Sequence, residues 1–255
     1  MNVPALALRQ IGYTNKAFWR NPASAFFTFA FPLMFLVIFT ALLGGGHISI
    51  GGRQITQSTY YVAAMAAFAV ITACYTNIAI AVTFQRDAGV LKRTQGTPLP
   101  GGAYLSARVI HAMLVAILLV VITAAFGKAF YSAAVPSGAT LLRFLVMLVV
   151  GSASFCALGL AMTAVIPNAD ASPAVVNASI LPLLFLSGVF IPLGDDAPGW
   201  IRWIGRVFPV KHFADGMQSG FIGTPFHWSD VLFVAGWGLA GLLLAARFFS
   251  WEPRR

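Results

Sequence analysis

Residues 60–100 read YYVAAMAAFAVITACYTNIAIAVTFQRDAGVLKRTQGTPLP. From Tyr60 to Thr83 there is no charged side chain, and then Arg86, Asp87, Lys92 and Arg93 arrive together before Thr97-Pro98 closes the segment. A bilayer core of about 30 Å takes roughly 20 apolar residues of helix. The stretch therefore reads as a transmembrane helix that ends in a compact charged loop, residues 84–108. Working outward, apolar runs of comparable length lie at 23–43, 109–126, 141–166, 174–191 and 228–249. None alternates with period two and all are too long for buried strands, which argues against a β-barrel. The expected fold class is all-α. The expected architecture is a polytopic membrane protein of six transmembrane helices, with residues 1–255 forming one transmembrane domain.

Composition agrees. Hydrophobic residues make up 59% of the chain and charged residues only 9%, against about 25% charged in soluble domains. The net charge of +9 sits at span ends with no basic-aromatic stripe, so it reads as orientation and lipid-headgroup contact and not as nucleic-acid binding. With both ends cytoplasmic, the inner side holds Arg9, Lys16, Arg20, Arg86, Lys92, Arg93, Arg108, Arg247, Arg254 and Arg255. The outer side holds Arg53, Lys128, Arg143, Arg202, Arg206 and Lys211. That inward bias fits an even number of spans in a cell membrane. Cys74 and Cys156 lie inside apolar runs and read as small buried residues. The first 22 residues are interrupted by Arg9, Gln10 and Lys16 and do not read as a cleavable signal.

Between the spans, local chemistry sets the boundaries. Residues 3–20 read as an amphipathic helix on the inner interface, ended by Asn21-Pro22. Gly44-Gly45-Gly46 closes the first span. Pro167 to Pro173 makes a tight inner turn, and Pro182 is expected to kink the fifth span. Residues 192–227 form the longest non-spanning stretch. Trp200, Ile201, Trp203, Ile204, Val207 and Phe208 give it an apolar face, and Arg202 and Arg206 a polar one. A short re-entrant or interfacial outer helix is expected, with a second at 211–221. Gly216 and Gly220, in the same stretch, read as turn formers. The small residues Gly151, Ser152, Ser154, Cys156, Ala157 and Gly159 predict close helix approach along the fourth span.

What is missing narrows the function. The sequence has no G-x-x-x-x-G-K-[ST] phosphate loop, and no Asp, Glu or Lys in the middle of a span to carry a coupling ion. His47, His111, His212 and His227 do not pair at metal-ligand spacing, and no catalytic or metal-binding residues are expected. Energy for directed transport must then come from an external ATPase, and the 84–108 loop is the one inner loop of useful size to receive it. On composition alone the same loop also reads as a solvated positive-inside connection.

The stretch FQRDAGVLKRTQGTPLP resembles the first cytoplasmic loop of the type-2 permease family of ATP-binding-cassette exporters, which includes drug, polysaccharide and teichoic-acid permeases. Arg86, Asp87, Gly89, Leu91, Arg93, Thr97, Pro98 and Leu99 carry the likeness; Gln85 stands where Glu is common. Residues 181–217 are similar to the family's fifth span and outer re-entrant helices through Ser187-Gly188-Val189, Pro192, Pro198, Trp200, Pro209 and Asp215. Lys211-His212 departs from that pattern. The resemblance implies a half-transporter that pairs with a second permease chain, identical or related, over separate ATPase subunits that bind ATP and Mg. This chain would bind no cofactor itself. A coupling helix near 91–97, with Gln85 to Leu99 around it, would dock on the ATPase. Ser187, Gly188, Pro192, Trp200, Trp203 and Pro209 would form an outer gate. Phe27, Phe31 and Phe35 face either lipid or an apolar substrate path. The implied cargo is an amphiphilic drug-like or lipid-linked molecule, as in multidrug efflux and antibiotic resistance. A cell-wall polymer is the alternative within the family, and ion-coupled secondary transport the alternative outside it.

Overall fold

A computed structural model describes residues 3–43, 45–50, 52–192 and 198–253. Gly44, Arg254, Arg255 and residues 193–197 of the outer stretch lie outside them. The chain is mostly helical. Helix α1 (Val3–Trp19) is followed by α2 (Pro22–Leu43), a hairpin of β1 (His47–Ile50) and β2 (Arg53–Thr56), and α3 (Gln57–Ile71). A π-helical turn at Thr72–Thr76 joins α3 to α4 (Asn77–Asp87). Then come α5 (Val90–Gln95), α6 (Gly101–Tyr131), α7 (Gly138–Met162), α8 (Ser172–Leu186), α9 (Gly199–Val207), α10 (Pro209–Ile222) and α11 (Trp228–Phe248).

A short hairpin, not expected from the sequence, interrupts the otherwise helical chain. His47 pairs with Thr56 and Ile50 with Arg53, and the segment is too short to register on the scale of a membrane span. Thr56 ends it and caps α3, accepting from the Thr59 amide.

The centre of the bundle is the Gln57–Asp87 rod. Ala63, Ala64, Ala66, Ala67 and Ala69 are fully buried, because small side chains let α2, α6, α7 and α10 approach this rod from several sides. Helix α7 packs along α11, where Gly238 lies against Ser154 and Gly241 against Ala157 and Leu158. On its other sides Gly151 meets the Phe213 ring and Gly159 meets the backbone of Tyr75. The close approach expected for the fourth span is therefore present. Both cysteines are buried.

Gly216 and Gly220 are not turn formers. They lie inside α10 and receive Met147 and Phe144 of α7. A turn reading assumes that the outer stretch stays at the surface; instead α10 enters the bundle, with Val210, Phe213, Ala214 and Met217 buried.

Among the described residues five helices are long and apolar enough to cross a membrane: Ala25–Leu43, Gln57–Asp87, Gly101–Tyr131, Gly138–Met162 and Trp228–Phe248. The fifth expected span appears as the shorter α8, 15 residues with Pro182 inside it. It stops because Gly188 turns to φ +74°, a conformation that favours glycine, while Val189 and Phe190 fold back into the core. Helix α6 starts at Gly101, so the first turns of that helix belong to what the sequence assigns to the loop; Ser106 and Arg108 are polar but do not break a helix.

Candidate coupling site

The charged loop resolves into a buried clamp, a relay and an exposed knuckle. Arg86, in the last turn of α4, is only 1% exposed. Its guanidinium donates through Nη1 to the Thr163 carbonyl at 2.9 Å and through Nη2 to those of Ile166 at 3.1 Å and Pro167 at 3.2 Å. These carbonyls follow the end of α7, where a helix leaves acceptors unsatisfied and a cation is favoured. Asp87 completes the clamp: its Oδ1 accepts from Arg86 Nε at 3.0 Å and its Oδ2 from the Ala169 amide at 2.6 Å. One ion pair thus ties the end of α4 to the turn between α7 and α8.

Gln85 makes a relay in place of the ion pair a Glu would suggest. Its Oε1 accepts from the Tyr104 hydroxyl, which in turn accepts from Arg108 Nε at 3.0 Å. The Arg108 guanidinium also lies 5.3 Å from the Tyr104 ring centroid, a cation–π distance. Tyr104 and Arg108 belong to α6, so Gln85 joins α4 to α6.

The knuckle is α5. Gly89 at φ +68° starts it, reversing the chain where a Cβ would be strained. Leu91 is fully buried and anchors it in the core, with Leu99 packed beside. Lys92, Arg93, Gln95, Thr97 and Pro98 are exposed. Thr97 holds the exit from the helix, donating to the Thr94 carbonyl and accepting from the Leu99 amide. The result is a small rigid projection with a basic, polar face. The C-terminal tail lies at the same end of the bundle: Lys92 pairs with Glu252 at 3.1 Å, and Trp251 packs on Gly101. The end of α1 is there too, with Phe18 5.5 Å from His111.

At the opposite end the residues read as an outer gate are separated into two environments. The Tyr60 hydroxyl donates to the Gly188 carbonyl, and Ser187 is buried beside it, donating to the Leu183 carbonyl. Pro209 is buried at the start of α10 and Pro192 is half-buried. Trp200 and Trp203 are 60% and 64% exposed and face away from the bundle with Arg202 and Arg206. The inward face of α9 is Ile201, Ile204 and Val207. Trp237 of α11 donates to the Val207 carbonyl at 3.1 Å. Lys211 and His212 both have partners: Lys211 pairs with Asp215 at 3.0 Å, and His212 bridges Asp230 at 2.7 Å and the Arg206 carbonyl at 3.1 Å. Together these contacts fasten the α9–α10 corner to α11.

The three aromatics of the first span also divide. Phe27 is 63% exposed and points outward. Phe31 and Phe35 pack edge-on at 4.9 Å, and Phe35 continues to Phe68 and Phe190. Phe190 follows Ser187-Gly188, so the aromatic row reaches the turn that ends α8. No single residue signals this contact in sequence, because it depends on the chain reversing at Gly188. Among the described residues no group of three His, Cys, Asp or Glu side chains is placed to hold a metal ion.

Residues 11–222 match the family model described as ABC-2 type transporter. The chain is 24% identical over 224 residues to "Putative transport permease ycf38" of Porphyra purpurea, covering 86% of this chain and 75% of that protein. It is 22% identical over 230 residues to "Putative transport permease YvfS" of Bacillus subtilis, covering 90% and 91%. A shorter similarity, 35% over 77 residues, covers 30% of this chain and 9% of ABC transporter G family member 1 of Dictyostelium discoideum.

Proposed function

This chain belongs to the ABC-2 type transporter family, and on that premise we propose that it is the membrane subunit of an ATP-driven exporter of amphiphilic drug-like or lipid-linked molecules. The family implies an ABC ATPase partner. In this reading ATP and Mg are bound by that partner, and a second permease chain completes the pathway. The observation that carries the proposal is α5: a short helix anchored by one buried leucine, with its remaining face exposed and basic, set beside the Arg86 clamp. A push on α5 reaches α4 directly, and through Arg86 and Asp87 it reaches the turn between α7 and α8. Coupling needs such a contiguous path between elements with two arrangements.

Helix α8 with the turn that follows it is read as the fifth of six crossings, and the α9–α10 corner as a re-entrant hairpin from the outer side. The position of α1, α5 and the C-terminal tail at one end of the bundle supports both termini being cytoplasmic. A single cysteine replacing Arg202 is expected to react with an impermeant maleimide from outside, and one replacing Lys92 only after the membrane is opened. The reverse pattern would overturn the orientation.

The transport test is reconstitution with the ATPase partner. Lys92→Glu with Arg93→Glu changes only exposed charges. It is expected to lower ATP-driven transport about tenfold, in line with coupling terms of ~1–2 kcal/mol, while membrane insertion is unchanged. Full transport by this double variant would remove α5 from the coupling role. Transport driven by an ion gradient with no ATPase present would sink the exporter reading itself.

A further inference from the structure

A cavity lies beneath α1 on the side of the coupling loop. Thr14 and Phe18 of α1, Asn77 and Gln85 of α4, and Arg108 and His111 of α6 enclose about 200 Å³. Two cationic or hydrogen-bonding groups face it without full use. His111 is only 8% exposed, and its Nε2 has no hydrogen-bond partner among the described residues. Arg108 commits Nε to Tyr104, and its two terminal nitrogens have no hydrogen bond among the described residues. A buried polar atom without a partner calls for an explanation, and a ligand is one. No Asp or Glu lines the cavity, and α1 above it carries Arg9 and Lys16, with Arg20 just past its end, and no acidic residue. Neutral imidazole in the Nε2–H tautomer donates a hydrogen bond, so the pair presents donors to an anion without requiring a second positive charge.

The cavity adjoins an apolar one. The Phe18 ring stands between His111 at 5.5 Å and Phe29 at 6.3 Å, and Trp19 stacks on Phe29 at 5.7 Å. Past Phe29 an open groove of about 600 Å³ runs between α2 and α6, lined by Phe26, Leu33, Leu118 and Ile122 among others. A donor-lined cup and an apolar groove, one aromatic layer apart, match the two ends of a single amphiphile.

We propose that this is a binding site for a membrane phospholipid with an anionic phosphodiester headgroup. Its phosphate oxygens accept from Arg108 and His111, and an acyl chain occupies the groove between α2 and α6. Gln85 and Arg108 are shared with the relay described above, so the bound lipid fastens α1 to α4 and α6 beside α5. Its occupancy then sets how firmly the coupling knuckle is held. The inference goes beyond the exporter reading and depends only on the chain residing in a bilayer.

The test uses the full chain purified in detergent, without ATPase or nucleotide, so its outcome is independent of transport. Retention of dioleoylphosphatidylglycerol and dioleoylphosphatidylcholine is measured by native mass spectrometry, with inorganic phosphate as competitor. One phosphatidylglycerol is expected to be held about tenfold more tightly than phosphatidylcholine, and Arg108→Gln is expected to erase that preference, as loss of a charge-assisted hydrogen bond would. Arg108→Lys keeps the charge and should retain part of it, and Arg143→Gln, in α7, should retain all of it. Equal binding of the two lipids by the unaltered chain overturns the proposal without any variant. So does displacement of the lipid by millimolar phosphate, which would mark a free-anion site, or an absence of saturable binding, which would mean that water fills the cavity.

Discussion

Arg86→Ala is expected to destabilise the protein by about 3–5 kcal/mol, the range for breaking a buried ion pair from one side. For a chain of this size that corresponds to a fall on the order of 10 °C in the unfolding midpoint. The substitution strands the Thr163, Ile166 and Pro167 carbonyls, all of which Arg86 supplies, and leaves Asp87 without its counter-ion at 3.0 Å. Arg86→Lys keeps the charge but not the fork that reaches three carbonyls at once, so it should recover less than half of the loss. Asp87→Asn should cost less than either, since the Ala169 amide still finds an acceptor. Arg93→Ala, on the exposed face of α5, should stay within about 0.5 kcal/mol of the parent. These values are read from thermal unfolding in detergent at a fixed scan rate, because membrane proteins often unfold irreversibly. An Arg86→Ala protein that melts with the parent would show that the clamp is not structural, and would weaken the path proposed from α5 to α7 and α8.

Arg86 also marks where the sequence stops being legible. Its membership in the loop motif is visible, because charge in an apolar chain is conspicuous. Its partners are not, since Thr163, Ile166 and Pro167 lie about eighty positions away and contribute only backbone carbonyls. Backbone acceptors have no residue signature. Gln85 is similar: the missing acidic group is evident, but Tyr104 as its partner depends on α6 starting at Gly101, within a segment whose polar residues suggest a loop. The long spans are readable because about 20 apolar residues have one economical meaning. The segment 192–222 lacks that advantage. Its mixture of Gly, Lys, Asp and Gln reads as surface, yet α10 is packed into the bundle, with Val210, Phe213, Ala214 and Met217 turned to the core and Lys211 and Asp215 paired on the other side. The hairpin at His47–Thr56 is hidden for a different reason. Four-residue strands alternate too briefly to stand out beside runs of about 20 apolar residues.

Gly159→Ala is expected to destabilise the protein by about 1–3 kcal/mol, the usual cost of overpacking, even though Ala normally favours a helix interior over Gly by ~1 kcal/mol. A Cβ at this position would stand 2.7 Å from the Tyr75 carbonyl oxygen, 3.1 Å from that of Cys74 and 3.2 Å from the Tyr75 Cα. These are backbone atoms and cannot rotate away. They belong to the π-helical turn Thr72–Thr76, whose widened ring interrupts the regular hydrogen-bond ladder of the central rod. The turn and Gly159 therefore fit as a pair: the wide turn brings its carbonyls against α7, and only a residue without a side chain admits them. A Cβ added at Gly236 of α11 would meet nothing within 4 Å, so Gly236→Ala should be neutral or stabilising by up to ~1 kcal/mol. The opposite signs of two identical substitutions separate packing from helix propensity. Gly159→Leu should go further and prevent recovery of folded protein, because the added bulk must displace the rod itself. If Gly159→Ala melts at or above the parent temperature, α7 does not press on the π-helical turn. The junction of α3 and α4 would then be free to straighten without moving the helix that Arg86 holds at its C-terminal end.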